Sequence, residues 1–227
     1  MPYLTAVVLA ITAVPSLLQF VIPGLEPAWA RDPAAIAAHG QWWRLATALL
    51  VQDGGPFGTL VNLGFLAVLG HLAERALGRP RWLVLYAAGA VAGETAGYLL
   101  NQPGAGNSIA LCALAAGLAV SSAGRLERSV GAFYAIVSGA WLLADLGVWG
   151  VVAMVALAAA GAQLVAHRAR VPEWLFPAVP AVAAVALTGV PDLHGPALLS
   201  GLIVGWLWEL PSREPPEPVA DGVAASG

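Results

Sequence analysis

The chain has 227 residues, 59% hydrophobic and only 10% charged, with a mean hydropathy of +0.78. Soluble domains carry about 25% charged residues, so this composition excludes an ordinary water-soluble globule and points to a chain embedded in a bilayer. A formal charge of −3, with ten Arg, no Lys and no basic run, argues against a nucleic-acid partner, and the single cysteine, Cys112, excludes an intrachain disulfide and a cysteine-based metal site.

A membrane-crossing helix needs about 20 mostly apolar residues. Eight runs qualify: 3–22, 57–76, 82–100, 106–123, 131–147, 149–167, 173–190 and 194–210. The first is followed by "PAWA" at Pro27 to Ala30, which mimics a signal-peptidase site, but Met1 to Thr5 lacks a positive n-region and the apolar run is too long for a leader. It is expected to be retained. The long connection from Gly24 to Pro56 carries Trp29, Trp42 and Trp43, residues that settle at membrane interfaces, and is expected on the outer surface. The narrowest division falls at Leu146 to Gly150, where the fifth and sixth runs share a tight turn. Residues 1–210 therefore read as one transmembrane domain, and 211–227, rich in Pro and small polar residues, as a disordered cytoplasmic tail.

Positive residues collect in short cytoplasmic loops. With the N-terminus inside, Arg75, Arg79, Arg81, Arg125, Arg128, Arg168, Arg170 and Arg213 fall on the cytoplasmic side, and only Arg31 and Arg44 outside. That distribution predicts cytoplasmic N- and C-termini in a multi-pass protein of the cell membrane.

Under this topology Ser108 opens the fourth span and His194 the eighth, both near the outer face, because an even number of crossings separates them. Helical spacing places Cys112, Ala115 and Ala119 below Ser108, and Ala197, Gly201 and Gly205 below His194. Small side chains let membrane helices approach closely, and Gly201 to Gly205 is a GxxxG. Asn101, Gln102, Asn107, Ser108, Asp192 and His194 share the same outer level. Unpaired polar groups are costly in hydrocarbon, so they are expected around a water-reachable cavity holding the parts for acyl transfer: nucleophile, general base and amide donors for an oxyanion. The bland alternative is a helix start at which Asn107 and Ser108 cap orphan N–H groups.

Of the remaining polar residues, Glu94 lies among Gly89, Gly93 and Gly97 inside the third span, either as an ionisable working group or as a bond to a neighbouring helix. Asp145 reads as a solvated helix end. Asp192, two residues before His194, could orient the imidazole, but side chains at i and i+2 on a helix diverge; placed instead in the turn after Pro191 it would cap the helix, and capping is the preferred reading. His71 and His167 read as interface residues and His39 as part of the outer loop. No pair of histidines has metal-ligand spacing, and no cofactor is implied.

From about Trp43 to Trp206 the chain resembles the rhomboid intramembrane serine proteases. "WWRLATALL" at Trp42 to Leu50 is similar to that family's Trp-Arg motif. "NLGFLAVLGHLAERALG" at Asn62 to Gly78 is similar to its second helix, "GNSIA" stands where it has Gly-x-Ser-Gly, and "LHGPALLSGLIVG" is similar to its final helix. The resemblance implies an all-α polytopic bundle with a six-helix core and an inserted pair. It further implies Ser108 as nucleophile, His194 as general base, and Asn62 as a cavity residue near the oxyanion. Asn107, Asn62, Gln102 and the Ser108 backbone N–H are the candidate oxyanion donors. The chain differs from the pattern at Ile109, where the family has Gly, at Gly58, where it has His, and at Cys112, where it has an aromatic. Three helices, rather than one, separate Ser108 from His194.

The leading expectation is thus an intramembrane serine protease acting on transmembrane or membrane-adjacent segments at the outer leaflet, with the lipid bilayer and a transmembrane protein substrate or client as its partners. A proteolytically silent rhomboid-like protein that binds membrane helices is the alternative, and a transporter working through Glu94 a third.

Overall fold

The computed structural model describes residues 3–210; the expected tail lies outside the described residues, as does the side chain of Asp145. Eight helices of 13 residues or more correspond to the eight apolar runs. They are α1 (Tyr3–Leu18), α5 (Gly55–Leu77), α6 (Arg79–Leu99), α7 (Ser108–Val120), α8 (Arg125–Trp141), α9 (Gly147–Ala166), α10 (Leu175–Gly189) and α11 (His194–Glu209). Three short helices, α2 (Leu25–Trp29), α3 (Pro33–His39) and α4 (Arg44–Thr47), build the long first connection. Among the described residues there is no strand, only one isolated bridge between Arg31 and Gly104. Gly55–Leu77 and Gly147–Ala166 are each long and apolar enough to cross a membrane alone.

Helix α7 is the axis of the bundle. Every residue from Ile109 to Ala119 is buried, and α5, α6, α8, α10 and α11 all pack on it. This is why its sequence is apolar all round, without an amphipathic stripe. Close approach is made by small residues. A Cβ on Gly201 of α11 would lie 2.3 Å from the Ala113 carbonyl oxygen, and one on Gly205 would lie 2.8 Å from Gly117 Cα. The Gly201–Gly205 face therefore meets α7 as expected, but on Ala113 and Gly117, not on Cys112, Ala115 and Ala119. The last two face α8 instead, where a Cβ on Gly131 would reach within 2.4 Å of the Ala115 oxygen. A helix enclosed on all sides has several small-residue faces, and spacing from Ser108 selects only one of them.

Gly201→Ala is accordingly expected to destabilise the bundle by about 3 kcal/mol, the upper range for overpacking, because the obstacle is backbone and cannot rotate away. Gly189→Ala, where a Cβ meets nothing within 4 Å, is the control and should stay within about 0.5 kcal/mol. Thermal unfolding in detergent distinguishes the two.

The glycines of α6 serve the same purpose. Gly89 abuts Ala113 and the Ile109 carbonyl, and Gly93 faces the Ile109 side chain. The Ile that follows Ser108 is thus accommodated by a glycine on the adjacent helix. Gly97 faces the Arg31 guanidinium, which descends from the first connection to pair with Glu94 at 2.9 Å, both side chains being 5% exposed or less. Arg31 Nε also donates to the Gln102 carbonyl. Glu94 therefore bonds the first connection, not a neighbouring helix.

The three helices between Ser108 and His194 do not form a detached insert. α8 and α10 both pack on α7, while α9 lies outside and packs chiefly on α8; its buried residues are Gly150 and Gly161. The expected span 131–147 is α8 moved six residues earlier, Arg125–Trp141. Its charged first turn is fixed to the connection before α10: Arg125 bonds Glu173 at 2.7 Å and Arg128 bonds it at 3.3 Å. Both guanidinium groups also lie over the Phe176 ring. The Glu173 carboxyl is held below the usual carboxylate range, first by the hydrogen bond from Arg125. At the same end of the bundle Glu74 accepts from the Leu4 and Thr5 N–H groups at 3.0 and 2.7 Å, satisfying orphan donors at the start of α1.

Candidate active site

Helices α7 and α11 both begin at one end of the bundle, opposite the Arg125–Glu173 cluster, and their first residues meet. Ser108 Oγ lies 2.9 Å from His194 Nε2. The two groups are 86 residues apart in sequence, so packing of the helices, through Gly201 and Gly205, is what sets this distance.

Around them is a cavity of about 130 Å³ whose wall includes Ser108, His194, Asn62, Tyr134, Gly58 and Asp53. Tyr134, from α8, donates its hydroxyl to the Ser108 carbonyl at 3.2 Å. Trp141, also in the wall, stacks on Phe57 with ring centroids 6.1 Å apart, so that an aromatic pair links α5 and α8 beside the cavity. Gly58 leaves open space, with nothing within 4 Å of a Cβ built there.

The Ser108 turn is held by amides. Gln52, 1% exposed, donates its Nε2 to Asn107 Oδ1 at 3.2 Å and accepts from Asn62 Nδ2 at 2.7 Å. Gln19 in turn donates to the Gln52 carbonyl and accepts from its N–H. Gly106 sits inside this cluster at φ 146, a region open only to glycine. A Cβ there would come within 3.2 Å of Gln52 Oε1 and 3.7 Å of Ser108 Oγ.

Among the three amides expected near the oxyanion, Asn62 lines the cavity, Asn107 is fully buried behind it, and Gln102 points elsewhere. Gln102 Nε2 donates to the Pro191 carbonyl at 2.8 Å and so ties the α6–α7 connection to the turn before α11. Spacing along the sequence did not give its direction around the bundle. Asn107 makes no side-chain cap to α7. Capping of the helix start by Asn107 is therefore not its role, and its side chain leaves the first N–H groups of α7 uncapped.

Asp192 is neither on the helix nor merely a cap. It lies in the turn before α11, where Oδ1 accepts from the His194 backbone N–H at 2.8 Å and also lies 2.7 Å from His194 Nδ1. The i, i+2 divergence expected on a helix does not apply in a turn, and both contacts are made. Burial raises the Asp192 carboxyl, but the hydrogen bonds and charge of His194 outweigh it and leave the group below its ordinary value. It contributes stability above the unfolded-state carboxylate value, and that contribution is lost as the pH falls through the lowered folded value.

Sequence reasoning missed Gln52 and Tyr134. Gln52 was discoverable as a polar residue in "VQDGG" just before a membrane helix, and Tyr134 as the single Tyr of α8.

A family model described as the Rhomboid domain matches residues 39–169, more than half of the chain. The chain belongs to the rhomboid family and is a rhomboid-like membrane protein. No curated protein and no solved structure matches it.

Proposed function

We propose that this protein is an intramembrane serine protease whose nucleophile is Ser108 and whose general base is His194. The observation that carries the reading is the 2.9 Å contact between Ser108 Oγ and His194 Nε2 at the wall of a cavity. His194 Nε2 takes the hydroxyl proton as Ser108 Oγ bonds to the peptide carbonyl carbon. The donors for the oxyanion so formed are the N–H groups at the start of α7 and the Asn62 amide, which lines the cavity. His194 then gives its proton to the departing amine as the C–N bond breaks, and water, deprotonated by the same imidazole, releases the acyl group and restores Ser108. The substrate is a transmembrane or membrane-adjacent polypeptide segment. The protein sits in the cell membrane with both termini cytoplasmic and the cavity toward the outer face; the eight-to-two division of Arg residues supports this orientation.

One observation favours a second reading, a silent member of the family that binds membrane helices: the open space at Gly58, since a missing oxyanion donor costs about 10²–10³-fold in rate. The two separate on reaction with a fluorescent fluorophosphonate. The folded full-length protein in detergent is expected to be labelled and Ser108→Ala to remain blank. A folded wild type that takes no label and cleaves no membrane-embedded peptide would overturn the protease reading and favour the silent, helix-binding one.

A further inference from the structure

We infer that Asp192 is a positioning residue for His194, so that Ser108, His194 and Asp192 form one hydrogen-bonded line that begins at the cavity wall. The inference rests on the hydrolase reading above and extends it to a third residue.

The geometry argues for it in three steps. First, the contacts run in sequence, Ser108 Oγ to Nε2 at 2.9 Å and Nδ1 to Asp192 Oδ1 at 2.7 Å, and use both nitrogens of one ring. Second, an ionised carboxylate is an acceptor only. Nδ1 must therefore carry the ring proton, which leaves the Nε2 lone pair to accept from the Ser108 hydroxyl. The carboxylate thereby fixes the tautomer that can act as a base. Third, the turn bearing Asp192 is pinned from several directions. Its N–H donates to the Leu187 carbonyl at 2.9 Å, its carbonyl accepts from Gly195 N–H at 3.1 Å, and Gln102 holds the preceding Pro191 carbonyl. The carboxylate and ring side chains are only 14% and 23% exposed, so their interaction is little screened by water.

During attack the proton moves from Ser108 Oγ to Nε2 and no further. The imidazolium that results lies between the developing oxyanion region and the Asp192 carboxylate, which stabilises it without becoming protonated.

A purely structural role is available to the same side chain, because Oδ1 also accepts from the His194 N–H. Asp192→Asn separates the two. Its amide oxygen can still accept from that backbone N–H, but the negative charge is gone and the ring tautomer is no longer dictated. The rate of fluorophosphonate labelling of full-length Asp192→Asn is expected to fall by about 10²–10⁴-fold, with the protein still folded and its melting temperature lowered only by the loss of the carboxylate's own contribution. The wild type is expected to show a His194 ring protonated at Nδ1 in the ¹⁵N spectrum of ¹⁵N-histidine-labelled protein, assigned by its loss in His194→Ala. That signature should weaken or vanish in Asp192→Asn.

Labelling of Asp192→Asn within about threefold of wild type would reduce Asp192 to a cap and overturn the inference. A wild-type ring protonated at Nε2 overturns it equally, whatever the variant does. If the wild type takes no label yet shows the Nδ1–H signature, the hydrolase reading fails while the positioning contact stands.

Discussion

Exchanging His194 for Ala is expected to slow acyl transfer to Ser108 by about 10⁴–10⁶-fold, and Ser108→Ala to abolish it. A serine hydroxyl is a weak nucleophile at neutral pH and depends on a base within hydrogen-bond reach. Nε2 at 2.9 Å is the side-chain partner the structure gives the Ser108 hydroxyl. Because nucleophile and base act as one unit, the double substitution is expected to be no worse than either alone. The measurement is single-turnover cleavage of a membrane-embedded peptide by full-length protein in vesicles, with melting temperature as the folding control. A His194→Ala rate within tenfold of wild type would remove His194 from the chemistry and require another base.

The second large effect is expected at the Arg31–Glu94 pair. Glu94→Gln and Arg31→Ala should each destabilise the protein by about 3–5 kcal/mol, because each leaves the opposite charge buried without compensation. With both side chains at or below 5% exposure, water cannot repair the loss. The double substitution Arg31→Met/Glu94→Gln is expected to recover part of it, since no lone charge remains. Chemical denaturation in detergent reads these differences. The same variants test the transport alternative: a working carboxylate in a transporter would lose uptake in Glu94→Gln without a large change in stability. The pair has reach beyond itself, since Arg31 also holds the Gln102 carbonyl and Gln102 holds the Pro191 carbonyl. Loosening Arg31 is thus expected to slow labelling at Ser108 as well.

The fold was largely legible because hydrophobic run length answers a single physical question, whether a segment can satisfy its backbone in lipid. Each run has its helix. The largest displacement, at α8, arises where the helix begins with Arg125 and Arg128, charges that hydropathy assigns to a loop but that pair with Glu173 beyond the apolar stretch. The meeting of Ser108 and His194 was legible from the parity of crossings and from the small residues of α11. The contact face on α7 was not, because a fully enclosed helix offers no periodicity to read. Gln52 and Tyr134 escaped for a different reason. Their partners lie 55 and 26 residues away, and nothing local in the sequence records which distant turn an amide or phenol will reach. Asp192 in the turn before α11 accepts from the His194 N–H as a capping residue does, and what escaped was the second contact, to the ring, which the i, i+2 rule for helices argues against and a turn permits.

The shortness of α7 has a consequence for what the cavity can receive. Thirteen residues rise about 20 Å, whereas the hydrocarbon core of a bilayer is about 30 Å thick. In the orientation proposed above, with the Arg125–Glu173 cluster at one membrane surface, the first turn of α7 would stop about 10 Å short of the opposite edge of the hydrocarbon. In the proposed protease, a polypeptide cut there would have to abandon its own helical pairing while still submerged, where stranded amides find few replacements. Segments already weakened by glycine or proline near that depth should yield most readily, making the local fragility of the victim, as much as its side chains, the basis of selection.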